Sequence, residues 1–81
     1  MGDALNRRLE QARALRRLPS PAARRHLREQ AGLSQYDIAL ELGVTREAVS
    51  FWEAGHHTPR PGTALAYLAL LDRLAAEAVR R

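Results

Sequence analysis

The sequence predicts an all-α fold, a compact bundle of five to six short helices, and three observations carry that expectation. Apolar residues recur at three- and four-residue spacing and nowhere alternate as a strand would. Alanine, leucine and arginine dominate, with aromatics only 5% of the chain. Glycine and proline fall between the periodic stretches rather than within them. Eighty-one residues suffice for one small domain, whose marginal core needs well-packed helices or a partner subunit.

Leu5, Leu9, Ala12 and Leu15 share one helical face, which predicts an amphipathic, Arg-rich helix over 4–17 with Asp3 at its start. Residues 1–20 form this N-terminal segment and 21–81 the main domain. Pro19-Ser20-Pro21 breaks the pattern. Ser20 is placed to cap a second helix with Pro21 in its first position, running to Gln30 or Ala31 before Gly32. Ser34 with Asp37 three residues on reads as a capping box for a helix from Gln35 to Leu42. Thr45 caps the next, to about Ala54, and Gly55 ends it. His56 to Gly62 holds two prolines and a glycine, an ordered turn, after which Thr63 or a neighbour starts a last helix to about Arg80. The apolar side chains of that helix, including Leu65, Tyr67, Leu70, Leu71 and Leu74, sweep roughly 220° at 100° per residue. One core stripe needs about 100°. The excess must be covered by the first helix of the same chain or by another subunit, with Leu70, Leu74 and Ala78 either at a dimer interface or packed on Leu5, Leu9 and Ala12.

Net charge is +4, and all 13 basic residues are arginine. Its planar fork suits phosphates and guanine edges, although an arginine bias also follows from GC-rich coding. The charge is uneven. Residues 1–28 hold eight arginines against Asp3 and Glu10, and residues 29–81 hold five against seven acids. With no cysteine, no apolar run of about 18 residues and no apolar core in the leading MGDALNRRLEQ, neither a disulfide, a membrane span nor a secretory signal is expected. A cytoplasmic location fits.

The most informative stretch is Gln35 to Glu53. Two short helices crossing at roughly 90–120° across a tight turn approach closely, so the first needs a small residue such as Ala39. Gly43 supplies the left-handed residue that closes it. Val49 and Trp52 share one face of the second helix, leaving Arg46, Glu47 and Ser50 elsewhere.

These residues resemble the phage-repressor and Cro-type helix-turn-helix family, also called the Xre type. Gln35, Ala39, the Leu42-Gly43-Val44-Thr45 turn, Val49-Ser50, Trp52-Glu53, Gly55 and Pro59 carry the likeness, and Leu27-Arg28 with Gly32-Leu33-Ser34 extend it upstream, so residues 24–71 are covered. The resemblance implies a lambda-repressor-like DNA-binding fold, with residues 1–20 as an added helix, and a regulator, a repressor by preference, that binds double-stranded DNA as a homodimer. It implies base contacts by Arg46, Glu47 and Ser50, with Phe51 against a thymine methyl or half-buried. It implies phosphate contacts by Gln35, which also buttresses the recognition helix, by Thr45, and by His56, His57, Thr58 and Arg60 in the following loop. Arg28, Ala39, Gly43, Val49, Trp52 and Glu53 take structural roles, Arg28 pairing with Glu53.

Other classes find less support. No nucleophile elbow, HExxH, P-loop or dinucleotide fingerprint is present, so no enzyme and no cofactor is expected. Adjacent His56 and His57 with His26 make a poor zinc set without cysteine. The main alternative is an antitoxin or other interaction protein that uses the same fold to bind a protein partner through helix 4–17. A third is RNA or non-specific nucleoid binding.

Overall fold

A computed structural model describes residues 2–80; the outermost residues of the expected segments 1–20 and 21–81 lie outside the described ones. Five helices follow in order: α1 (Asp3–Arg17), α2 (Pro21–Gln30), α3 (Gln35–Leu42), α4 (Arg46–Glu53) and α5 (Pro61–Arg80). Among the described residues there is no strand.

The local signals explain most boundaries. Ser20 Oγ accepts from the Ala23 N–H at 3.1 Å with Pro21 in the first helical position. Ser34 and Asp37 form both arms of the capping box, at 3.0 and 2.7 Å. The second of these, donated by the Ser34 N–H, holds the exposed Asp37 carboxyl below its ordinary range. Thr45 Oγ1 accepts from the Ala48 N–H at 3.1 Å. Each cap satisfies a backbone donor that the helix itself leaves unpaired.

The last boundary differs from expectation. α5 begins at Pro61 rather than Thr63, with the Ala64 N–H donating to Arg60 O at 2.8 Å. Proline's fixed φ suits a first helical position, so Pro61 opens the helix instead of closing the loop, and Gly62 lies in the first turn.

The core gathers Ile38 and Ala39 of α3, Val49 and Trp52 of α4, and Tyr67 and Leu71 of α5. Val49 is 0% exposed and Ala39 2%. Removing such side chains from water contributes about 1.5–3 kcal/mol each for the larger ones. Trp52 and Tyr67 rings meet at 5.2 Å between centroids, tilted by 38°.

The wide apolar arc of α5 is covered in part within the chain, while Val79 stays 85% exposed. Leu70 and Leu74 pack, half-buried, against the core cluster, and Ala78 is exposed. α1 covers another flank, packing on α5 through Ala14, 1% exposed, while Leu5 and Leu9 remain 49% and 37% exposed. The expected stripe of α1 therefore divides, with Ala12 and Leu15 half-buried and Leu5 and Leu9 exposed. A close crossing against Leu65 and Leu68 favours the small Ala14, and a leucine in its place would hold the two helices apart.

Candidate nucleic-acid interface

α3 and α4 are joined through Gly43, whose φ of 67° and ψ of 35° place it in the left-handed region. The Val44 N–H donates to Ala39 O at 3.0 Å, closing α3 and turning the chain into α4. Only glycine takes this conformation without strain. The turn fixes α4 across α3, with Ala39 and Val49 both inside the core.

α4 divides into two faces. Val49, Trp52 and Glu53 are buried, Arg46, Glu47 and Phe51 are exposed, and Ser50 is half-buried. Phe51 is thus a surface aromatic, 46% exposed. It stacks on His57 at 4.9 Å and 19°, and meets the edge of His56 at 6.5 Å. His56, His57, Thr58 and Arg60 are all exposed, while Pro59 is buried and anchors their loop. A groove of about 370 Å³ runs between α4 and this loop, lined among others by Thr45, Glu47, Phe51, His57 and Arg60. Thr45 is exposed at the start of α4, its oxygen engaged as the cap.

Three polar ties hold α4 from behind. Arg28 on α2 grips Glu53 with two hydrogen bonds, Nε to Oε2 at 2.7 Å and Nη2 to Oε1 at 2.9 Å, and donates from Nη1 to Leu33 O at 2.8 Å. The hydrogen bond to Glu53 raises the Arg28 pKa against the opposing effect of burial. Burial would push the Glu53 carboxyl up, but its hydrogen bonds from Arg28 and Gln35 outweigh that and hold it below the ordinary range.

Gln35 is the second tie. Its Nε2 donates to Glu53 Oε1 at 3.1 Å and its Oε1 accepts from Arg46 Nη1 at 3.4 Å. Both ends of its amide thus face α4. The chain Arg28–Glu53–Gln35–Arg46 runs from the interior to the exposed start of that helix, biasing the Arg46 side chain along its own helix face.

Arg24 is the third, and the sequence reasoning did not single it out. Buried at 7% exposure, it donates from Nη2 to Trp52 O at 2.8 Å and from Nη1 to Pro19 O at 2.7 Å. Its guanidinium lies 5.6 Å from the Tyr67 ring centroid. The available signal was its position four residues before Arg28, which puts both arginines on one face of α2.

Among the described residues no three His, Asp or Glu side chains are grouped to hold a metal ion, and no helix is long and apolar enough to cross a membrane.

A helix-turn-helix family model matches residues 25–77, from α2 to near the end of α5. No curated protein and no solved structure matches the chain. A small residue at the crossing, a left-handed turn glycine and a second helix with one buried and one exposed face are the frame of such a module, and the chain belongs to the helix-turn-helix family of the phage-repressor and Cro type, whose members are DNA-binding regulators.

Proposed function

We propose that this chain is a sequence-specific transcriptional repressor that acts in the cytoplasm as a homodimer and reads double-stranded DNA with α4 in the major groove. The observation that carries the proposal is the division of α4: a fully packed back tied by Arg24, Arg28 and Gln35, and a front on which Arg46, Glu47 and Phe51 are exposed, with Ser50 beside them. A helix anchored this way meets a groove without losing further backbone freedom.

Arg46 is assigned to guanine O6 and N7, Glu47 to a cytosine amine, Ser50 to either kind of base edge and Phe51 to a thymine methyl. Because the Gln35 amide is occupied by Glu53 and Arg46, its phosphate contact falls to the backbone N–H at the start of α3, where the helix dipole favours an anion. The Thr45 hydroxyl, already an acceptor, still has a proton to give to a phosphate. His56, His57, Thr58 and Arg60 follow the sugar-phosphate backbone beyond the groove. Two copies related by a two-fold axis would engage half-sites about 34 Å apart, which offsets the few phosphate contacts of one module. Repression follows as the simplest sign, since occupying a site needs no surface besides the one that binds it.

The test is selection of bound sequences from a random duplex pool at low salt. A two-fold consensus with half-sites one helical turn apart is expected. Recovery of unbiased sequence, or no retention of any duplex, contradicts the proposal.

A further inference from the structure

Loop 57–59 is a wall shared by two grooves. On one side it faces α4, through Thr45, Glu47 and Phe51. On the other it faces the end of α1, through Leu15 and Leu18, with Gly55 and Arg24 at the floor. The end of α1 therefore continues the surface that α4 and the loop begin, although α1 lies outside the 25–77 family match.

Of the five helices, α1 carries the largest excess of positive charge. Its 15 residues hold Arg7, Arg8, Arg13, Arg16 and Arg17 against Asp3 and Glu10. All five arginines are exposed, and none forms an ion pair or hydrogen bond among the described residues. Elsewhere Arg25, Arg28, Arg73 and Arg80 each face a glutamate. Unpaired guanidinium groups at this density call for a polyanion.

The helix sorts them. At 100° per residue Arg8 falls about 20° from Leu15 around the axis, on the loop side, and Arg16 follows Leu15 in the chain but stands about 100° further round, toward solvent. One turn after Arg8, Gln11 lies against Gly62, at the start of α5 and two residues from Arg60. Arg13 and Arg17 line the cleft against Leu65 and Leu68, on the other flank of α1.

We propose that α1 is a phosphate-binding extension of the DNA interface, in which Arg8 and Arg16 carry the backbone track of loop 57–60 beyond the footprint of the helix-turn-helix module. The assignment rests on DNA binding by α4 and adds a surface to it. Continuity with the loop favours a duplex over an acidic protein as the occupant.

The experiment compares the intact chain with the variants Arg8→Gln/Arg16→Gln and Arg13→Gln/Arg17→Gln, which remove equal charge from different sides of α1. Affinity for the duplex selected by the intact chain is measured from 50 to 300 mM salt, with hydroxyl-radical footprints of each complex. Each lost phosphate contact lowers the slope of log K against log salt by about 0.9. The loop-side pair should lower it by about 2, weaken binding roughly tenfold near 0.1 M salt and erase only the outermost protected sugars. The far-side pair should leave slope and footprint unchanged. Equal effects of the two pairs would reduce α1 to a diffuse charge and overturn the assignment. No effect of either would overturn it in favour of a protein partner. Failure of the intact chain to bind any duplex would overturn the parent reading along with it, and is told apart because it precedes any substitution.

Discussion

Arg24 and Trp52, 28 residues apart, are joined by a hydrogen bond of 2.8 Å from a buried guanidinium to the last turn of α4. The same side chain holds Pro19 O and lies against Tyr67, so one residue connects the α1–α2 junction, α4 and α5. Its Nε is buried without a hydrogen-bond partner. The two charge-assisted bonds and the ring contact must offset that loss.

Arg24→Met keeps the stem and removes the ties. It is expected to lower stability by about 2–3 kcal/mol, since the Trp52 carbonyl keeps only the Gly55 N–H and the Pro19 carbonyl loses its charged donor, and to weaken duplex binding beyond the fraction unfolded. Denaturant midpoints together with binding at a temperature where both proteins are folded separate the two effects. Unchanged binding would show that Arg24 supports the fold alone.

Arg28 and Glu53 obey a different arithmetic. Removing one partner leaves a charge buried, so Arg28→Met or Glu53→Leu alone should cost about 3–5 kcal/mol, while the double variant should recover a large part of that loss. Urea denaturation of the four proteins gives the coupling directly. Additive losses would mean that the pair does not interact as its geometry indicates.

Acid should act through the same pair. The Glu53 carboxyl titrates lower in the folded chain than in the unfolded one, because its hydrogen bonds outweigh its burial. Its contribution is therefore complete above the ordinary carboxylate range near pH 4.3 and falls away as pH drops through the lower folded value. Stability measured between pH 7 and pH 3 should decline more steeply for the native chain than for Glu53→Gln. Parallel curves would exclude Glu53 as a source of the acid dependence.

How far the sequence shows all this differs by residue. Caps are legible because Ser20, Ser34 and Thr45 act on donors only three residues away, and the crossing at Ala39, Gly43 and Val49 is legible because spacing alone puts them on facing sides. The inward face of α1 is not. A stripe of leucines identifies an amphipathic helix without identifying its partner, and Ala14 is selected by a crossing with Leu65 and Leu68, far along the chain. Arg24 is obscured for a similar reason, since its acceptors are backbone carbonyls, which carry no sequence signature. The start of α5 was displaced because proline reads equally as a loop residue or as a first helical residue, and tertiary packing decides.

Gly43 offers a clean backbone test. A Cβ there would meet nothing within 4 Å, yet φ is 67°. Gly43→Ala should therefore cost about 1–2 kcal/mol through conformation alone, and Gly43→Asn less, because asparagine tolerates this region better. Thermal unfolding of the two variants gives the order. Equal losses, or none, would place the turn outside the left-handed region.

The most direct test is base preference at α4. Duplex selection repeated with Arg46→Ala should keep the consensus and spacing while losing preference at one base-pair position per half-site, with about 1–3 kcal/mol less discrimination there. An unaltered consensus at every position, bound uniformly more weakly, would contradict reading of the groove by the exposed face of this helix.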